Sequence, residues 1–243
     1  MRIENSFIPA EGVGERTEQR LWDAGVTRWR EFDGDVVGPT TADRIESYVS
    51  TARERLDDGD ARYFRDAFPS GCHWRCYENF REGACFLDIE TTGLDRHRDD
   101  VTVVGLHRDG ETTTLVAGRD LTADRLGRHL DDADLLVTYN GKRFDVPFLA
   151  EAFGVSVDVP HVDLMYPCRS LGLTGGLKTV EREVGIERDR PDLSGEDAIR
   201  LWRAYRGGDD DALETLVSYN RDDAANLQTL MDVVANHLDP LHP

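Results

Sequence analysis

Apolar positions along the 243-residue chain fall into two regimes. Up to about residue 80 they recur at intervals of three and four, the spacing of one helix face. Leu21, Trp22, Val26 and Trp29 form one such set, interrupted at Gly25. Ile45, Tyr48, Val49 and Ala52 form a second, with Thr40 or Thr41 as the expected N-cap. DARYFRDAF predicts a third, short helix stopped by Pro69. From Ala84 the pattern changes. ACFLDIE, VTVVGLHR and ETTTLVAG read as strands, the last two joined through Asp109-Gly110, a hairpin signal. DRLGRHLDDA then predicts a helix, DLLVTYN a strand, RFDVPFLAEAF a helix and HVDLM a strand. Beyond Leu177 the chain reads as helices. Ser194 and Asp197 form a capping box ahead of one of them. The last shows Leu213, Leu216, Val217, Ala224, Leu227, Met231 and Val234 along one face.

Three strands in meander order followed by alternating helix and strand predict an α/β fold with a mixed sheet. The expected organisation is a helical region over residues 1–80 and an α/β domain over 81–243. Gly12-Val13-Gly14 ahead of a helix resembles half of a helix-hairpin-helix element, which offers backbone N–H groups to phosphate. A small helical cap is the other reading of the same segment.

Composition changes the picture in one respect. Forty-eight acidic against twenty-nine basic residues leave a formal charge of −19, and all but Lys142 and Lys178 of the basic residues are Arg. Such an acidic, Lys-poor chain resembles haloarchaeal proteins, whose carboxylates hold water at high ionic strength. At about 1 M salt the Debye length is roughly 3 Å. The net charge therefore does not exclude a nucleic-acid partner; it requires that contacts be local. No run approaches the length of a membrane span and the first residues lack a signal-peptide pattern, so the expected location is cytoplasmic. Cys72 and Cys76 flank His73 at a spacing seen in zinc sites. No second Cys or His pair follows, and reduced, half-buried thiols are the expected reading.

The chemistry concentrates in three short segments. In FLDIETTGL, Asp88 and Glu90 are two apart and so share one face of a strand. Two carboxylates among Phe86, Leu87 and Ile89 need a compensating Arg, a shared proton or a divalent cation. Asp145 in YNGKRFDVPFL opens a helix, where an acid also complements the dipole. In SYNRDDAANL, Tyr219 and Asp223 are four apart and share a helix face.

Taken in order, these segments resemble the three motifs of DEDD-type (DnaQ-like) 3′–5′ exonucleases in their tyrosine variant. Within that superfamily the chain is similar to the YprB-like ribonuclease-H-like family through HVDLM, LKTVEREVGIER, PDLSGEDAIRLWRAY and YNRDDAANL. The resemblance spans residues 84–235. It implies a ribonuclease-H-like fold, a five-stranded mixed sheet with the first strand central. It also implies hydrolysis at single-stranded 3′ ends of DNA or RNA with two divalent cations, Mg²⁺ or Mn²⁺. Asp88, Glu90, Asp145 and Asp223 are the implied metal ligands, with Asp88 bridging, and Tyr219 is the residue that orients water. Thr91, Thr92, Gly93, Leu94, Asn140, Phe144 and Lys178 are implied to hold the terminal nucleotides. Lys142, Arg143 and Arg169 are further phosphate candidates, and His161 and Asp163 are candidates for support of the site. A structure-specific endonuclease and a non-catalytic nucleic-acid-binding module are the alternatives.

Overall fold

Pro39 fixes where the longest N-terminal helix begins. In the computed structural model, which describes residues 1–239, Gly38 is the N-cap and Pro39 takes the first helical position. The ring presets φ and lacks only an N–H that would be unpaired there anyway. Thr40 and Thr41 lie inside the first turn, so neither caps the helix as expected. Four helices make up this region: α1 (Glu15–Asp23), α2 (Pro39–Asp57), α3 (Ala61–Ala67) and the short α4 (Tyr77–Phe80). A 3₁₀ segment, Ser70–Cys76, precedes α4. The helical set containing Leu21 ends at Asp23; Val26 and Trp29 follow in a turn and a 3₁₀ helix, still buried.

Among the described residues the sheet has five strands: β1 (Ala84–Thr91), β2 (Val101–Arg108), β3 (Glu111–Val116), β4 (Leu135–Thr138) and β5 (His161–Asp163). Their order is β3-β2-β1-β4-β5. The first three form the antiparallel meander, turned at Asp109 and Gly110, both with positive φ. β4 runs parallel to β1 and β5 parallel to β4. The carboxyl ends of β1, β4 and β5 therefore share one edge, where ligands bind in open α/β sheets.

Alternation along β1 sorts two cores. Cys85, Leu87 and Ile89 face a layer made by α5 (Ala123–Asp131) and α6 (Asp145–Phe153), through Leu126, Leu130, Phe148 and Leu149. The opposite face carries Ala84 and Phe86 and is covered by the helices that close the chain. These are α7 (Met165–Ser170), α8 (Leu177–Glu183), α9 (Gly195–Arg206) and α10 (Asp210–Leu238). α10 crosses β1, β2 and β3. Its apolar stripe is buried except at Val217, which is half-buried, and Leu230 and Ala235 extend it. The distal half of α10 is sandwiched. One buried cluster joins Phe7, Ile45 and Phe64 of the N-terminal region to Phe86, Val137, Leu227 and Val234. At about 25 cal/mol per Å², burial of this kind fixes the helical region on the sheet. The Gly12–Gly14 turn buries Val13, and α1 already carries Glu15 and Glu18 in its first turn. Two acids at that end leave little there for a phosphate.

Candidate active site

The two faces of β1 explain how the acids meet. Asp88 and Glu90 continue the Phe86 face, toward α10, while the strand runs out at a bulge between Glu90 and Thr91. Bulges of this kind re-aim side chains next to active sites. From α10, Tyr219 and Asp223 project one turn apart toward the same point, both buried. Oxygens of Asp88, Glu90 and Asp223 lie within 4.8 Å of one another. Asp145, buried at the start of α6, stands outside that tight group but close enough to feel the charge on Asp88. Three of the four acids expected to converge thus do so closely, and the fourth lies beside them.

The approach of α10 depends on a missing side chain. Gly105 pairs with Asp88 across the β1–β2 ladder. A Cβ at residue 105 would lie 2.4 Å from Asn220 Oδ1. The open space lets Asn220 donate from Nδ2 to the Asp88 carboxylate at 2.9 Å and to its carbonyl at 3.2 Å. Asn220 is fully buried, so this is a fixed contact.

Burial raises the proton affinity of these acids. It pushes the Asp88 carboxyl up to about 7, against the opposing Asn220 hydrogen bond. Glu90 is held well above the usual carboxylate range by burial and by the charges of Asp88 and Asp145. Asp145 is likewise well above it, by burial and then Asp88. The Tyr219 hydroxyl is raised by burial and by Glu90 and Asp88, and so stays protonated at neutral pH. The cluster is therefore short of positive charge.

Part of that charge comes from residues that the motif reading passed over. Arg188, between α8 and α9, is buried and pairs with both Asp223 and the fully buried Glu181. Its guanidinium carbon lies 5.6 Å from the Tyr219 ring centre, and Lys178 Nζ sits 4.6 Å from the same ring. The pairing is incomplete. Lys178 Nζ, Arg188 Nε, one oxygen of Glu181 and Oδ1 of Asn220 are buried without a hydrogen-bond partner. Unpaired donors and acceptors in a charged cluster leave room there for ordered water or a bound ion. All three converging ligands are hard oxygen donors, with no thiolate or imidazole among them, which fits Mg²⁺ or Mn²⁺ rather than zinc.

The acids form the floor of a cavity of about 800 Å³. Leu94 and Phe144 line one part of it, and the first turn of α9, from Ser194 to Ile199, another. Leu94 is 84% exposed, an unusual state for a leucine, and stands free at the mouth. Phe144 stacks on Phe148 at 4.7 Å between ring centres. The remaining expected contacts divide. Thr91 lines the cavity, but its hydroxyl donates to the Gly93 carbonyl, and the Thr92 hydroxyl accepts from Asp100 N–H at 2.9 Å. Both hydroxyls hold the turn itself. At Gly93 a Cβ would meet the Asp99 carboxylate at 2.4 Å, so a larger residue there would displace Asp99 from the turn. Asn140, at φ +63°, gives its N–H to Asp163 at 2.7 Å and does not line the cavity. Asp163 also receives Lys142 N–H and Met165 N–H, so it supports the loop that leads to Asp145. His161 bonds Thr138 Oγ1 at 2.8 Å within the core. Arg143 and Arg169 are exposed. Cys72, Cys76, Cys85 and Cys168 are free thiols, and His73 between the first two is spent on backbone groups of Arg65 and His161.

With that geometry in place, comparison with known proteins is informative. The RNase_H superfamily profile matches residues 85–235, from β1 into the distal half of α10. The chain belongs to the RNase_H superfamily. Two solved structures share its fold. One is Brucella melitensis NrnC bound to pGG, at 24% identity and TM-score 0.50, covering 67% of this chain and 76% of that one. The other is the family B DNA polymerase of the hyperthermophilic archaeon Pyrobaculum calidifontis, at 23% identity and TM-score 0.51. That match covers 65% of this chain and 26% of the polymerase, so the likeness is to a part of that enzyme. No curated protein matches. The RNase_H region thus contains the whole acid cluster, and the N-terminal helices lie outside it. No helix among the described residues is long and apolar enough to cross a membrane.

Proposed function

We propose that this RNase_H-superfamily chain is a metal-dependent nuclease, a 3′–5′ exonuclease that hydrolyses phosphodiester bonds at single-stranded ends. The observation that carries the reading is the convergence of Asp88, Glu90 and Asp223 at the floor of an open cavity with Asp145 beside them. Support comes from the order of the three motifs and from a fold shared with a nucleic-acid-bound protein, NrnC with pGG.

Asp88, Glu90 and Asp223 would hold the first divalent cation, and Asp88 with Asp145 the second. When bound, such ions acidify water and stabilise the departing 3′ oxygen. The chain's own groups do the rest. Asn220 keeps the Asp88 carboxylate aimed at the site. Tyr219 remains a hydroxyl donor and orients the attacking water rather than removing its proton. Leu94 and Phe144 present apolar surface to the terminal base at the cavity mouth. Arg188 neutralises Asp223 in the free chain, and Lys178, whose Nζ lies 4.6 Å from the Tyr219 ring, adds a second positive charge beside Glu90.

The test uses end-labelled DNA and RNA in Mg²⁺ or Mn²⁺ at high salt. Stepwise shortening that stops at a blocked 3′ end is expected; internal cuts on the blocked strand would replace the exonuclease by the endonuclease. Asp88→Ala should abolish Mg²⁺-dependent cleavage, since a carboxylate that would hold the ions is lost. Tyr219→Phe should slow cleavage by about 10²-fold, in the range of one positioned proton-handling group, and leave metal affinity intact. Full activity in Asp88→Ala would reject the site.

A further inference from the structure

A second cavity, of about 270 Å³, opens between the N-terminal region and the carboxyl ends of β4 and β5. Its lining combines Trp74 and Ser70 of the 3₁₀ segment, Lys142 of the loop after β4, Asp163 at the end of β5 and Tyr166 in α7. Drug-sized ligands occupy about 300–1,000 Å³. This space is smaller and suits one planar group. We infer that it is a base-binding subsite for a nucleotide upstream of the scissile end of a single strand. The inference rests on the nuclease reading above.

Position is the first argument. β1, β4 and β5 are parallel and adjacent, so Glu90 and Asp163 end on the same edge of the sheet. At about 4.8 Å per strand, two strands separate the cavity from the acid cluster by roughly 10 Å. A stacked strand advances about 3.4 Å per nucleotide. A chain whose 3′ end lies at Asp88 therefore reaches this cavity about three nucleotides back.

Chemistry is the second. Tyr166 is 41% exposed, one of two large apolar side chains so placed among the described residues, and the other is Leu94 at the acid cluster. An aromatic ring in water, lining the same cavity as a second ring, Trp74, offers a stacking surface that tolerates any base. Lys142 is anchored by donating to Ser70 Oγ at 2.8 Å and to the Ser70 carbonyl at 3.3 Å, with its third ammonium proton uncommitted. It supplies a local cation for a phosphate on a chain of net charge −19. Asp163 does not undo this, because its carboxylate already accepts three backbone N–H groups.

The two exposed apolar side chains thus mark the two ends of one track. Leu94 belongs to the RNase_H region, whereas Trp74 comes from the helices outside it. The N-terminal region would then add reach along the strand rather than chemistry.

Equilibrium binding of two-, four- and eight-nucleotide strands tests this, with Ca²⁺ in place of Mg²⁺. The unmutated chain should bind the octamer at least tenfold more tightly than the dinucleotide. Tyr166→Ala and Lys142→Met should each weaken octamer binding by about tenfold, the scale of one stacked base, and leave the dinucleotide unchanged. Trp74 is half-buried, so the conservative Trp74→Phe is used as well. It should keep the affinity but lose the quenching of tryptophan fluorescence by the octamer. Unchanged octamer affinity in both Tyr166→Ala and Lys142→Met, equal weakening at every length, or quenching that survives in Trp74→Phe overturns the subsite. Length-dependent binding without cleavage in Mg²⁺ would remove the nuclease reading and leave the subsite standing. No binding at any length would remove both.

Discussion

Two buried carboxylate clusters in this chain have opposite constructions. Under the N-terminal region, Glu18 is 1% exposed and accepts from Ser6 Oγ, Phe7 N–H, Ile8 N–H and Arg75, the last at 2.7 Å. Arg75 also stacks on Trp22 and Trp74. At the edge of β1, Asp88, Glu90, Asp145 and Asp223 have Arg188 and Lys178 as nearby cations, and Lys178 Nζ, Arg188 Nε, a Glu181 oxygen and Asn220 Oδ1 lack partners, against Arg75 Nε alone in the first cluster. Glu18 is almost wholly shielded from water, whereas Asp88 is half-buried beside the buried Glu90, Asp145 and Asp223. The difference is that one is closed and locally paired, while the other opens into an 800 Å³ cavity. A charge that its neighbours already satisfy holds a fold together. A charge that they leave short is held ready for something from outside.

The contrast is broken most forcefully at Asp88, where loss of catalysis should come without loss of fold. Removing a raised carboxylate relieves repulsion, so Asp88→Ala should melt no lower than the parent in the absence of metal. The matching change is Glu18→Ala. It strands Arg75 in the interior and should cost about 3–5 kcal/mol, the scale for breaking a buried pair from one side. Cleavage per folded molecule should be unchanged. Replacing both partners by Met should recover only part of the loss, because neither charge remains buried but the Phe7 N–H loses its acceptor. Denaturant melts and rates at a permissive temperature read both. A Glu18→Ala protein that is stable but inactive would make the two clusters one functional unit.

A smaller effect is expected at Gly105, opposite Asp88 and beneath Asn220. A methyl group there collides with Asn220 at 2.4 Å, and Asn220 cannot retreat because it is held by Asp88. Gly105→Ala should therefore cost about 1–3 kcal/mol as overpacking. It should also weaken metal binding, by displacing Asn220 from the Asp88 carboxylate. Gly105→Ala together with Asn220→Ala should restore stability but not metal affinity, which separates packing from aim.

How much of this was legible in the sequence follows from what each feature repeats. Asp88 with Glu90, and Tyr219 with Asp223, were visible because strand and helix periods place residues two and four apart on one face. The meander was visible because Asp109-Gly110 is a turn signal. The central place of β1 followed from the family resemblance rather than from pattern. Gly105 was not legible: a glycine within a strand signals a close approach without saying what approaches. Arg188 and Glu181 lie in the LKTVEREVGIER stretch of the resemblance, but nothing in the sequence tells that the pair meets Asp223, thirty-five residues on from Arg188. The threonines at 40 and 41 point two or three residues too far along for the cap of α2, because Pro39 at the first helical position sets the start instead. The bulge after Glu90 adds no residue type that sequence could flag.

The smallest effect sharpens the contrast from a third buried polar group. His161, in β5, is pushed down to about 3 by burial and by the charge of Lys142, and is neutral in the folded chain. Unfolded, it titrates near 6.5. Between those values the unfolded chain binds more protons, so stability rises with pH and is lost as pH falls below about 6.5. From pH 7.5 to 5.5 this single group should remove about 1.4 kcal/mol, one pKa unit's worth of free energy. His161→Gln, which keeps a partner for Thr138, should flatten the pH dependence of unfolding by that amount. The acids at β1 act with the opposite sign: their raised affinities make the metal-free fold lose stability as pH rises from about 4 to 7. Adding Mg²⁺ should reverse that second slope and leave the first untouched. Melts at pH 5.5 and 7.5, with and without Mg²⁺, therefore separate a polar group buried for structure from a set buried for a ligand. A Mg²⁺ response that tracks His161 instead of Asp88 would show that the two have been assigned the wrong way round.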